Sequence, residues 1–206
     1  MGNAAFDKDP YSLIITGGGG QGNVMASRVL GSMFVTKGFF VTVGETFGAS
    51  QRGGSVMSHI RISERSSWSP QIPAFGADII AALEPVEALR VLAQYGNPRC
   101  TLICNTHPVY PVNVIKGEDA YPSLGDVKRH VKSLIPHATF IDATEEARSL
   151  GNPILANMII LGALCGMGIL PVGRGNFQEA ITERFQNDQV TLNMKAFDAG
   201  IALLKK

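Results

Sequence analysis

Apolar positions along this chain follow two alternating periods. Compact runs of five to seven residues, rich in β-branched side chains, read as buried strands. Between them apolar residues recur every three or four positions, as on a helix face. Residues 11–16 (YSLIIT) are the first such run. A helical period follows over 23–36, carried by Val24, Leu30, Phe34 and Val35, and Gly38 ends it before a second strand over 39–43. Strand, glycine loop, helix, strand is a βαβ unit, which implies a parallel pair joined by a right-handed crossover. Over 56–62, Val56, Ser58, Ile60 and Ile62 alternate with Met57, His59 and Arg61, a strand with one wetter face.

Residues 63–76 are polar and proline-bearing, a surface loop. Residues 77–83 read as another buried strand, and Pro85 opens a helix to about residue 95. Gly96-Asn97-Pro98 breaks that helix before a strand over 100–105; a loop with three prolines spans 106–122. Ser123 with Asp126 starts a helix that Pro136 ends, and 138–142 is the last strand. From Ala143 the pattern is helical, and the final helix, 189–204, carries Leu192, Ala196, Ala199 and Leu203 on one face. The expectation is an α/β fold: a single three-layer domain around a mostly parallel sheet, with a helical C-terminal third. It covers residues 1–206, with a flexible tail over 1–10.

Composition narrows the function. Of 206 residues 45% are hydrophobic and only 17% charged, against roughly 25% charged in a typical globular chain, so a core is easily built and disorder is excluded. Eighteen Lys and Arg balance seventeen Asp and Glu. A net charge of +1 exerts no global pull toward nucleic acid or anionic lipid. The N-terminus has no basic region followed by an apolar run, so no signal peptide is expected, and Phe6 stands where a myristoylation start needs Ser or Thr. Residues 154–172 lack charge and contain Gly162 and Gly166, but Asn152-Pro153, Gly168 and Pro171 limit the helix to about 15 residues. That is ~22 Å, short of a ~30 Å hydrocarbon core, so a helix buried in the domain or at a subunit contact is expected. Cys100, Cys104 and Cys165 match no metal or cluster spacing and read as free thiols in a reducing, cytoplasmic compartment.

Two glycine-rich loops hold the candidate chemistry. Gly17, Gly18, Gly19, Gly20, Gln21 and Gly22 join the first strand to the first helix and fit GxGxxG. Such a turn strips away Cβ atoms and aims peptide N–H groups at an anion, with the helix start adding positive charge. No P-loop lysine follows, which disfavours a Walker NTPase. Glu45, 23 residues after Gly22 and just past the second strand, would suit a ribose hydroxyl, so a free-standing NAD(P)-binding oxidoreductase is the rival reading. A tight turn packed on a neighbouring chain is the bland one. The second loop spans 44–55 and contains Ser50, Gln51, Arg52, Gly53 and Gly54. Arg52, set between Gln51 and two glycines, offers a fork for carboxylate or phosphate. A salt bridge across a subunit boundary is its plainer role. No acid–base pair, metal spacing or nucleophile elbow accompanies these loops, so no catalytic residue is assigned.

These motifs resemble a known family. GGGGQG, Gly48-Ala-Ser-Gln-Arg-Gly-Gly-Ser-Val-Met-Ser-His-Ile-Arg-Ile62 and Gly76-Ala-Asp78 are similar to the gamma-type domain of 2-oxoacid:ferredoxin oxidoreductases. LEPVEALR at 83–90, CNTHPVYPVNV at 104–114, Gly151-Asn-Pro153 and NMKAFDAG at 193–200 resemble the small (beta) subunits of its indolepyruvate branch. The resemblance implies a subunit inactive alone. Its large alpha-type partner would hold thiamine diphosphate and [4Fe-4S] clusters, and the complex would convert aryl pyruvates to acyl-coenzyme A and reduce ferredoxin. Gly17, Gly19, Gly20, Gln21, Gly22, Ser50, Gln51, Arg52, Gly53 and Gly54 are then the candidate cofactor-facing residues. An apolar C-terminal third bared by loss of the partner would make the chain self-associate when expressed alone.

Overall fold

The computed structural model describes residues 6–48 and 54–205. Among these, six strands form one sheet in the order β2-β3-β1-β4-β5-β6. The strands are β1 (Tyr11–Gly18), β2 (Phe40–Phe47), β3 (Ser55–Ser63), β4 (Ile79–Ala82), β5 (Thr101–Asn105) and β6 (His137–Ile141). Ladders from β1 through β4 and β5 to β6 are parallel; β3 runs antiparallel to both β1 and β2. The expected α/β class with a mostly parallel sheet holds, but the first βαβ pair does not. α1 (Asn23–Val35) does return the chain to a strand parallel to β1, yet β2 folds back into β3, and β3 takes the place beside β1.

Period-2 burial explains why the sheet needs two cover layers. Leu13, Ile15, Ile79, Ala81 and Ile103 face one core, while Ile14, Ile80, Ala82, Leu102 and Cys104 face the other. The first core is closed by α1, α5 (Ala143–Ser149), α6 (Ala156–Gly166), α7 (Arg174–Thr182) and α8 (Asn187–Leu203). The second is closed by α2 (Pro85–Tyr95) and α4 (Leu124–Leu134). The supposedly wet face of β3 is not wet. His59 accepts a hydrogen bond from the Ile72 N–H at 3.4 Å, and Arg61 donates to the Gln71 carbonyl at 3.0 Å beneath Trp68. The polar stretch 64–76 thus acts as a cover where no helix reaches. Burial depresses the His59 pKa, with help from the Arg61 charge, which suits a neutral ring in that role. The tail is anchored from Phe6 onward: Phe6 stacks on Tyr11 at 4.2 Å, and Lys8 pairs with Asp78 at 2.6 Å.

The C-terminal third is helical as expected, but it is not a bare contact surface. A 3-10 turn (Pro153–Leu155) leads into α6, and ten of its eleven residues are buried. No described helix is long and apolar enough to cross a membrane. On α8 the inward seam is Asn193, Met194, Ala196, Phe197 and Gly200; of the expected face Ala196 lies in it, and Leu192 and Leu203 pack partly buried beside it. The seam rotates because two glycines must meet the opposing backbone. A Cβ on Gly162 would overlap the Phe197 carbonyl oxygen, and one on Gly200 would overlap that of Ile159. Helix axes approach this closely only where side chains are absent.

Gly162→Ala and Gly200→Ala should therefore each destabilise the fold by about 3 kcal/mol, the upper end for adding a methyl to a packed interior. Chemical denaturation of the full chain measures this. Gly173→Ala, where a Cβ meets nothing within 4 Å, should leave the midpoint near wild type.

Candidate functional site

The carboxyl ends of β1, β4 and β5 open on one sheet edge, where α/β folds gather ligands. β1 ends in Gly17 and Gly18, and the chain turns through Gly19, Gly20, Gln21 and Gly22 into α1. The turn is braced by its own side chains. Gln21 Oε1 accepts from the Gly18 N–H at 2.6 Å, and Gln21 Nε2 donates to the Leu83 carbonyl at 2.9 Å. Asn23 Nδ2 donates to the Gly18 carbonyl at 3.1 Å. Gln21 is thus a strut with one amide hydrogen to spare, rather than a free donor. Position 22 demands glycine twice over. Its φ is +81°, and a Cβ would overlap the Asn157 amide, whose Nδ2 donates to the Gly22 carbonyl at 3.3 Å. Asn157, buried on α6, carries no local signal because its partner lies 135 residues away.

What remains unused in this turn is a set of donors. Among the described residues the N–H groups of Gly20, Gly22, Asn23, Val24 and Met25 meet no acceptor, and the first turn of α1 carries no acidic residue. Unsatisfied N–H groups at the positive end of a helix dipole favour an anion.

The second glycine segment comes to the same place. β2 is longer than expected, so Gly44, Glu45, Thr46 and Phe47 are strand rather than loop. Gly48 N–H donates to the Ser55 carbonyl at 2.7 Å, closing the β2–β3 hairpin, and Gly19 N–H donates to the Gly54 carbonyl at 2.8 Å. The two glycine segments are therefore directly bonded at Gly19 and Gly54. Ser50, Gln51, Arg52 and Gly53 lie outside the described residues. Glu45, in contrast, is removed from the site. It pairs with Ser58 in the ladder and lies 3.9 Å from Arg28, with β3 between it and β1, roughly 10 Å of sheet. A ribose-binding carboxylate must stand beside β1, so the dinucleotide reading loses its acid.

Asp78 and Glu84 act as anchors. Asp78 accepts from the Ser12 N–H at 2.8 Å. Glu84, 3% exposed, caps α2 by accepting from the Glu87 N–H at 2.8 Å, and it also accepts from Val109 N–H at 3.4 Å and from the Tyr121 hydroxyl. One carboxylate therefore fastens both ends of the 106–122 segment, which contains a short helix, α3 (Val112–Ile115). Burial raises the Glu84 pKa, and the three hydrogen bonds oppose that rise without cancelling it. Glu87 next to it accepts from Ser55 Oγ at 2.5 Å, tying the hairpin stem to α2.

The cysteines do not suit a cluster. Cys100 and Cys104 lie in one core and Cys165 in the other, on opposite faces of the sheet. Burial pushes the Cys100 and Cys165 thiols up to about 12, and the Cys104 thiol up further, whereas a metal binds thiolate. Among the described residues no group of three or more His, Cys, Asp or Glu side chains could hold a metal ion.

A family model described as pyruvate ferredoxin/flavodoxin oxidoreductase matches residues 12–203. The chain is 35% identical over 189 residues to indolepyruvate oxidoreductase subunit IorB of Archaeoglobus fulgidus, covering 92% of each. In fold it is similar to the gamma subunit of a keto/oxoacid ferredoxin oxidoreductase from Geobacter sulfurreducens, with a TM-score of 0.68 at 21% identity over 95% of this chain and 99% of that one. It also resembles part of a 2-oxoglutarate:ferredoxin oxidoreductase from Magnetococcus marinus solved with 2-oxoglutarate, coenzyme A and succinyl-CoA bound. There the TM-score is 0.74 at 20% identity, over 97% of this chain and 32% of that one.

The raised Glu84 pKa has a definite sign. Above the ordinary value of 4.5 the folded chain keeps a proton that the unfolded chain has released, so stability falls as pH rises from there to the raised folded value. Glu84→Gln, neutral in both states, should flatten the stability profile across that window. Thermal melts from pH 4 upward measure it, and an unchanged slope in the variant would show that Glu84 does not titrate there.

Proposed function

The chain belongs to the pyruvate ferredoxin/flavodoxin oxidoreductase family, and we propose that it is the cluster-free small subunit of an indolepyruvate-type 2-oxoacid:ferredoxin oxidoreductase. The observation that carries this reading is its similarity, along nearly the whole of both chains, to an indolepyruvate oxidoreductase subunit. A large alpha-type subunit holds thiamine diphosphate and [4Fe-4S] clusters, which supply the decarboxylation and the electron transfer to ferredoxin. The opposed positions and raised pKa values of the three thiols support assigning the clusters to that partner. The complex works in the cytoplasm, where buried unpaired thiols stay reduced.

In this reading the small subunit's contribution is a preformed edge. The turn Gly17, Gly19, Gly20, Gln21 and Gly22 offers the open N–H groups of Gly20 and Gly22 to an anionic portion of a cofactor, and the Gly19–Gly54 bond joins it to the second glycine segment, whose Ser50, Gln51, Arg52, Gly53 and Gly54 are assigned to the same ligand. Coenzyme A, present in the 2-oxoglutarate enzyme, is the ligand this edge suits, because its phosphates need such donors. Apolar Tyr110, Val112 and Ile115 stand exposed on the fastened segment beside the site and form part of the partner contact. The chain expressed alone therefore self-associates through this patch, and it turns over no 2-oxoacid.

Reconstitution with the large subunit tests the reading. Arg52→Ala should weaken assembly or methyl-viologen reduction about ten- to hundredfold, the worth of one charge-assisted hydrogen bond of roughly 1.5–3 kcal/mol. Arg52→Lys, which keeps the charge and loses the fork, should fall between. Wild-type values for Arg52→Ala in both assays would reduce the loop to a turn.

A further inference from the structure

β2 ends the sheet, and its outer side pairs with no described strand. Two bonds fix which of its peptide groups face outward. Gly48 N–H donates to the Ser55 carbonyl and Gly19 N–H to the Gly54 carbonyl. Counted along the two registers, these make Phe40, Thr42, Gly44 and Thr46 the residues that bond to β3. The peptide groups of Val41, Val43, Glu45 and Phe47 therefore point away from the sheet, and among the described residues they meet no backbone partner. Open edges are ordinarily kept short, or blunted by proline, lysine or a bulge. β2 has none of these devices. Its eight residues, FVTVGETF, run in unbroken register with one charge, Glu45, turned toward Arg28 on α1 at 3.9 Å. β6, at the other end of the sheet, has five residues. Phe40 and Phe47, at the two ends of β2, are 46% and 61% exposed.

The strand's own residues select its occupant. Antiparallel pairing with a second copy about a two-fold axis must match outward residues with outward residues, so the axis falls on Val43, Gly44 or Glu45. An axis on Glu45 sets two carboxylates directly opposite each other, which is unfavourable. An axis on Val43 sets Phe47 against Phe39, whose N–H is already bonded to the Phe34 carbonyl at 3.2 Å. An axis on Gly44 has neither fault. It pairs Val41 with Phe47 and Thr42 with Thr46 of the second copy, aromatic–β-branched and Thr–Thr matches that stabilise sheets, and it uses every outward peptide group. Each Glu45 then lies opposite Val43 and keeps its own Arg28. The two residues at position 44 approach to about 4.5 Å between Cα atoms, and there Gly44 lies under Pro70 with no room for a Cβ. We propose that two copies of this chain pair through β2 about Gly44, joining their sheets into one. The partner contact at 110–115 lies past β5, four strands away or roughly 19 Å, so both contacts form together. The pairing does not rest on the subunit reading.

Register-specific cross-linking tests this on the full chain, and again on the complex reconstituted with the large subunit. Thr42→Cys and Thr46→Cys are made as separate proteins; the three native thiols are buried. About Gly44, position 42 of one copy lies opposite position 46 of the other at about 4.5 Å between Cα atoms, within disulfide reach. Like positions of the two copies stand four residues apart along the strands, roughly 13 Å, and cannot be bridged. After mild oxidation, a mixture of the two variants should give a linked dimer on a non-reducing gel, and neither variant alone should. Glu45→Pro removes an outward N–H without touching the β3 ladder, so it should cut the linked fraction of the mixture at least tenfold with unchanged circular dichroism. Phe47→Lys, at an exposed side chain, should cut it severalfold. No link in the mixture, equal links in the single variants, or a link untouched by both Glu45→Pro and Phe47→Lys overturns the pairing. So does a link in the isolated chain that the large subunit abolishes, which would give the edge to that subunit.

Discussion

The geometry at the glycine turn depends on how closely α6 and α8 approach each other. Their backbones touch where Gly162 meets Phe197 and where Gly200 meets Ile159, and no side chain larger than hydrogen fits either place. That contact sets how near α6 lies to the sheet. From α6, Asn157 reaches the Gly22 carbonyl and fills the space a Cβ would take. The loop's left-handed residue and its open N–H groups thus follow from a helix–helix contact on the far side of α6 from the ligand edge. An interior packed at crystal-like density transmits such a displacement rather than absorbing it.

The division of sulfur between the two cores has a matching logic. A mostly parallel sheet buries both faces, so a strand such as β5 sends alternate residues to opposite layers. Cys104 points to the layer under α2 and α4, while Cys165 sits on α6 in the other. Convergence of these thiols would need the sheet to be broken. The fold therefore keeps Cys104 and Cys165 in separate layers.

Much of the architecture was legible in the order of apolar runs. Every strand core and the helices capped by Glu84 and Ser123 lie where the pattern and the capping chemistry put them. Three features were not legible, each for a physical reason. Hydrophobic period identifies a strand but not its neighbour, so nothing in residues 39–62 revealed that β3 would slip between β1 and β2. Polarity marks 63–76 as surface, yet His59 accepts from its Ile72 amide and Arg61 donates to its Gln71 carbonyl, in a stretch that a composition argument treats as loop. Asn157 reaches Gly22 only through chain reversal, with a spacing that matches no local motif. Glu45 shows the converse case: its spacing suited a ribose acid, and one inserted strand removed it.

The double fastening of the 106–122 segment to Glu84 bears on the partner contact proposed for it. Val109 and Tyr121 hold the two ends of a stretch that carries Tyr110, Val112 and Ile115 outward. Were that stretch free, each residue fixed on docking would cost the complex about 1–2 kcal/mol of backbone entropy. Held at both ends, it loses that freedom when the chain folds, before any encounter. In the partner contact proposed above, association would then proceed as the meeting of two shaped surfaces, with the rate set by diffusion and orientation rather than by a folding step.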